Sequence, residues 1–187
     1  MTIPSFPAGD SGTPTAVTCN HSDCERPVVQ SARRCRVHLA EDLRSEGKTF
    51  PFDDPELSGM FAAAEHIVRM AMAGLTDGPG DPRGPASVFD MYALLDPDTD
   101  WRLAQVGLDL LGTYLSDELG GMALSPPLEF NSKMLLRLQV SAQAAAAEEL
   151  RPRLQFAMDA MIREAVGPDV FVPIAVELAE KHDGSST

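Results

Sequence analysis

The chain has no cysteine beyond residue 35, a single tryptophan, two tyrosines, and far fewer basic than acidic side chains, 15 against 28. Each shortage excludes something. Three cysteines leave one over in any disulfide scheme, and the opening Met1-Thr2-Ile3-Pro4-Ser5-Phe6-Pro7 lacks the basic and apolar regions of a secretion signal, so a reducing, cytoplasmic setting is expected. No apolar run approaches the ~20 residues of a membrane span, so a soluble protein with no membrane partner is expected. The net charge of −13 works against nucleic acid, because affinity for a phosphate backbone rests on cations that displace condensed counterions. Enzyme signatures are missing too: there is no Gly-x-Ser-x-Gly elbow, no Walker lysine loop and no Glu-x-x-His pair. A Gly-x-Gly pair occurs at Gly78 and Gly80, but the surrounding prolines remove the N–H donors that a phosphate cradle needs.

What is present is concentrated at the N-terminal end. Cys19, Cys24, Cys35 and His38 form Cys-x4-Cys-x10-Cys-x2-His. Two pairs of soft ligands on short spacers, separated by a loop, can converge on one tetrahedral Zn2+. The segment between them is polar and offers no apolar face against which the cysteines could be buried as ordinary core residues. His21, between the first two cysteines, competes with His38 for the fourth position. Spacing favours His38, since Cys-x2-His is a common chelate spacing and a His two positions after Cys19 strains the turn.

Residues 19 to 28, Cys-Asn-His-Ser-Asp-Cys-Glu-Arg-Pro-Val, followed by Arg-Arg-Cys-Arg-Val-His at 33 to 38, resemble the short zinc-binding preambles of actinobacterial and actinophage proteins, of the form C-x4-C-x-R-P-V…C-x2-H. Such preambles often precede HNH endonuclease or other nucleic-acid-linked domains. The resemblance covers about 30 of the 187 residues. It implies that Cys19, Cys24, Cys35 and His38 are the ligands and that Arg26-Pro27 shapes the turn after the first pair. An HNH nuclease needs further histidines and an asparagine in a ββα-metal arrangement. Downstream this chain has only His66 and His182, so the nuclease activity is not carried over.

Charge divides the chain in the same place. Residues 19 to 48 carry six basic and five acidic side chains, whereas residues 49 to 187 carry nine and 22. Arg33, Arg34 and Arg36 make the one compact cationic patch, either a nucleic-acid contact or a solvated face. Residues 1 to 18, rich in Thr, Ser, Pro and Gly, are expected to be a disordered tail, 19 to 48 a zinc-binding module, 49 to 182 a helical domain of which 55 to 182 fold independently, and 183 to 187 a second tail. Phe50 and Phe52 are too apolar for a free linker and are expected to dock the module on the body.

Helical spacing is expected throughout that body. Asp54 caps and Pro55 opens a helix with Leu57, Phe61, Ala64, Val68, Ala71 and Leu75 on one stripe, ended by Gly78 to Pro85. Ser87 caps a short helix with Phe89, Met91 and Leu95, and a longer one runs from Trp101 to Leu119 before Gly120-Gly121. Ser125-Pro126-Pro127 opens another, carrying Leu128, Leu135, Leu138, Ala142 and Ala145. Pro152 kinks or breaks the helical pattern that continues to Gly167, and a last helix spans about Asp169 to Lys181. The expected fold is therefore mainly α, a bundle of five to six helices with a small zinc module.

Met60, Met70, Met72, Met134, Met158 and Met161 read either as core filler or as an adaptable partner groove. Met60, Ile67 and Met72 widen the apolar arc of the first long helix beyond one neighbour's reach, from which a homodimer through helical faces is expected. The function expected is that of a non-enzymatic interaction or regulatory protein working through protein–protein contacts. The alternative is a nucleic-acid-associated factor that contacts phosphates through the zinc module.

Overall fold

The computed structural model describes residues 17–30, 32–75, 86–143 and 147–179. It contains four helices and five strands among these residues: α1 (Arg36–Ser45), α2 (Pro55–Met72), β1 (Ala86–Leu95), α3 (Trp101–Leu119), β2 (Gly120–Leu124), β3 (Leu128–Phe130), β4 (Lys133–Gln143), α4 (Ala147–Val166) and β5 (Ile174–Leu178). The expectation of a five- to six-helix bundle is overturned by an antiparallel sheet in the order β2-β4-β1-β5, with β3 also paired to β4.

The long helices begin where local chemistry directs. The carboxylate of Asp54 accepts the N–H of Leu57, and Pro55, which has no N–H to satisfy, takes the first helical position. Asp100 caps α3 in the same way through the N–H of Leu103. Gly120 ends α3 at φ 119°, a left-handed conformation that costs glycine little, and the chain passes directly into β2. Asp54→Ala is expected to cost about 1 kcal/mol of stability. Denaturant titration would measure it, and an unchanged midpoint would mean that packing alone holds this helix start.

Four stretches expected to be helical are strands, and each has a physical reason. In residues 86–95 Phe89, Met91, Ala93 and Leu95 alternate inward, but Val88, Tyr92 and Leu94 between them are also apolar and hide the period of two. β1 is central, paired with β4 on one side and β5 on the other, and only Asp90 interrupts the apolar run from Val88 to Leu95. In β4 the alternation is plain: Leu136, Leu138, Val140 and Ala142 are buried, with Arg137, Gln139 and Ser141 between them. The turn before it gives β3 its partner. Asn131 and Ser132 both have positive φ, 50° and 60°, as a two-residue hairpin turn of the primed type requires, and Phe130 pairs with Lys133 across it. The stretch expected as a last helix instead forms β5, whose Ile174, Ala175 and Val176 are buried against β1 and α4.

Pro152 neither breaks α4 nor marks its start, because the helix is unbroken from Ala147 to Val166. It is the sixth helical residue and is exposed, so the carbonyl it leaves unpaired, that of Glu148, lies on the solvent side where water can satisfy it.

The layers explain the wide apolar arc of α2. The buried face of the sheet packs on α3 and α4, α2 lies across both of these helices, and α1 covers α2 from the other side. Ser58, Gly59, Met60, Ala62, Ala63, Ala64, Ile67, Val68 and Ala71 are consequently all buried. Met60 and Ile67, which widen that arc, are wholly buried within the chain, and Met72 packs partly buried against the same core. Met60, Met158 and Met161 are wholly buried core residues, while Met70 is 41% exposed. No described helix is long and apolar enough to cross a membrane.

Candidate metal centre

The cysteine cluster is assembled by a short hairpin and the first turn of α1. Thr18 bridges to Pro27, the N–H of Cys19 bonds the carbonyl of Arg26 at 2.9 Å, and that of Val28 bonds the carbonyl of Val17 at 3.0 Å. Between these arms the chain turns through Asp23 at φ 62°, with the N–H of Cys24 on the carbonyl of His21. Cys35 is the N-cap of α1 and makes no side-chain cap bond, which leaves its sulfur free to face the hairpin. His38, three residues on, shares its helix face.

One ligand atom from each of Cys19, Cys24, Cys35 and His38 lies within 4.8 Å of every other, and together they could hold a metal ion. His38 Nδ1 is 3.4 Å from the sulfurs of both Cys19 and Cys35, and the sulfurs of Cys24 and Cys35 are 3.8 Å apart. His21 is not among the four. Its Nδ1–H donates to the carbonyl of Ser22 at 3.0 Å, and its ring stacks on His38 with centroids 3.9 Å apart and planes at 12°. His38 Nε2 faces the Glu41 carboxylate at 3.8 Å, beyond hydrogen-bond reach.

Burial pushes the Cys19 thiol up, but hydrogen bonds from the backbone of Cys35 and His21 and from His38 outweigh it and hold the group at about 6. Cys35 is pushed up to about 11 by burial and by the charge of its neighbouring sulfurs. Three sulfurs this close cannot all ionise without a cation to offset their repulsion.

The module is fastened to the body rather than tethered beside it. Val29 is wholly buried in the common core, and the carbonyl of Gln30 meets His66 Nε2 at 2.8 Å. Arg44 donates to Ser58 Oγ at 2.6 Å, and Glu65 is paired with Lys48 and Arg69. Phe52 packs beside Phe61 at 6.0 Å between centroids, while Arg44 and Lys48 lie over Phe50.

Arg33, Arg34 and Arg36 do not form one solvent-facing patch. Arg33 is exposed at φ 58°, and Arg34 bonds Asp42 at 2.8 Å. Arg36 turns inward, donating to Glu56 Oε2 at 2.7 and 3.0 Å and to the carbonyl of Glu164 at 2.6 Å. Arg26 shares Glu56. Burial pushes Glu56 up, but these two guanidinium groups outweigh it and hold it below the usual range. Glu164 fares differently. Burial raises it to about 7, because Arg36 stands 3.7 Å from its Oε1 and is already committed to Glu56, whose charge adds repulsion. No spacing in the sequence signals this network, whose partners are 20 to 128 residues apart.

Gly59 lets α2 approach α1 closely. A methyl group there would lie 2.9 Å from Arg36 Cγ and 3.1 and 3.2 Å from its carbonyl carbon and oxygen. The backbone of Arg36 cannot retreat without displacing Cys35 beside it. Gly59→Ala is expected to cost about 1–2 kcal/mol net, overpacking of 1–3 offset by up to ~1 of helix propensity, and to weaken metal binding severalfold. Competition against a chromophoric chelator would read the second effect; an unchanged affinity would show that the seam and the metal cluster are mechanically separate.

Comparison of the chain with family models, with curated proteins and with solved structures finds no match.

Proposed function

We propose that this is a non-enzymatic protein in which a structural Zn2+ staples an N-terminal module onto an α and β body, and that the assembled surface acts through contacts with a protein partner. The observation that carries this reading is the ligand set itself: Cys19, Cys24, Cys35 and His38 supply four donors from the protein. Structural zinc is closed in this way, whereas catalytic zinc keeps a position for water. Bond lengths of about 2.3 Å to sulfur and 2.0 Å to nitrogen give tetrahedral edges of ~3.8 Å for S···S and ~3.5 Å for S···N. Three of the six donor pairs, at 3.4, 3.4 and 3.8 Å, match those edges and support zinc on that ground, with all six within 4.8 Å. A nucleic-acid role through Arg33, Arg34 and Arg36 is less well supported, since two of the three are paired with carboxylates of the chain itself.

Elemental analysis of protein prepared without chelator is expected to find about one zinc per chain. Less than a quarter equivalent, with all three thiols freely reactive, would overturn the reading. Partner binding through apolar faces is expected to vary little with salt, whereas phosphate contacts weaken steeply.

A further inference from the structure

A cleft of about 1030 Å3 runs along the seam between the zinc module and α4. We propose that this cleft is where the partner engages, and that the occupant is an acidic peptide segment, a carboxylate flanked by apolar residues. The proposal deepens the interaction reading above and rests on it.

Charge complementarity selects the occupant. Arg26, Arg33, Arg36 and Arg163 all line the cleft, four of the twelve arginines in a chain of net charge −13. Against them stand two carboxylates. Glu56 is already held by Arg26 and Arg36, so it has little left to offer a cation. Glu164, 13% exposed and raised to about 7 by burial, is about half protonated at that pH, so it repels an anion less than a fully ionised carboxylate would. Arg33 and Arg163 remain the adaptable pair: Arg33 is exposed, and among the described residues Arg163 pairs with Asp159 one turn away on its own helix. A planar guanidinium matches a carboxylate with two parallel bonds.

Shape favours a peptide over a small anion. Val28, Leu57, Leu103 and Val166 give the walls an apolar character, and the exposed Val17 stands at the lip. The volume slightly exceeds the ~300–1,000 Å3 range of small-molecule sites, room for several extended residues. A nucleic acid would bring phosphates along its whole length against the acidic remainder of the chain.

The experiment is to pan a displayed library of random heptapeptides on the full-length, zinc-loaded protein, then measure the enriched peptides by fluorescence anisotropy against wild type, Arg33→Gln, Arg163→Gln and the control Arg102→Glu, which lies outside the cleft. Far-UV spectra and zinc content establish that each variant is folded. Enriched sequences are expected to hold Asp or Glu beside aliphatic or aromatic residues, and to bind about tenfold more weakly to each cleft variant but equally to the control. No enrichment, enrichment of basic or uncharged sequences, or affinities indifferent to both cleft variants would overturn the cleft proposal. So would a single-stranded oligonucleotide that occupies the same cleft with a steep loss on added salt while no peptide is enriched. The outcomes separate the two readings: peptides that bind a zinc-loaded protein elsewhere sink the cleft and leave the stapled interaction protein standing, whereas a chain that takes up no zinc sinks the staple.

Discussion

Stripping the metal is expected to lower the thermal midpoint by about 8–16 °C. An ion that binds only the folded state stabilises it by RT ln(1 + [L]/Kd), about 4 kcal/mol at a thousandfold excess over Kd, and each kcal/mol moves the midpoint of a domain this size by roughly 2–4 °C. The loss should spread beyond the hairpin, because Val29 and Ala40 of the N-terminal region are wholly buried and α1 covers α2. One cooperative transition at a lower temperature is therefore expected, in place of a small early melt followed by an unchanged main one. Cys24→Ser is expected to start near the stripped midpoint and to be indifferent to chelator. Calorimetry with and without a strong chelator checks both, and midpoints within 2 °C of each other would show that the cluster stabilises nothing.

Replacing Glu164 by Gln is expected to stabilise the protein at pH 8 and to change little at pH 5. In the folded chain burial holds this carboxyl at about 7, above its ordinary 4.5. The sign follows from proton binding: below pH 4.5 both folded and unfolded states carry the proton and the group contributes no difference. As pH rises from 4.5 to about 7 the unfolded chain releases the proton freely while the folded chain holds it, so stability falls across that window and is level above it. The shift corresponds to roughly 3 kcal/mol at 1.36 kcal/mol per unit, the most that a neutral isostere can recover. Urea titrations of both proteins at pH 5 and 8 decide it. A variant less stable at pH 8 would mean that the 3.7 Å pairing with Arg36 outweighs desolvation and that Glu164 is ionised.

The starts of α2 and α3 were legible because a cap is a contract between residues three apart: Asp54 with Leu57, Asp100 with Leu103. The hairpin at Asn131-Ser132 was equally local, and the strict alternation from Leu136 to Ala142 was there to be read. It was missed because leucine and alanine at 135, 138, 142 and 145 also satisfy a helical spacing. β1 was harder, since Val88, Tyr92 and Leu94 on the face opposite Phe89, Met91, Ala93 and Leu95 are apolar too, and only Asp90 marks the period of two.

By itself, then, the sequence marked Cys19, Cys24, Cys35 and His38 as residues that could hold a metal together, and the starts of α2 and α3, since these depend on residue types at short fixed spacings: Cys-x4-Cys, Cys-x2-His, and an Asp just ahead of the first turn. Only the tertiary structure decided that β1 would pair with residues about 50 positions away, that α2 would be a middle layer with no free apolar face, and that Arg36 would leave the surface to join Glu56 and Glu164. The physical reason is the same in each case. A strand has no internal hydrogen bonds and takes its identity from its partner, and a charged side chain takes its role from whichever opposite charge the packing brings within reach.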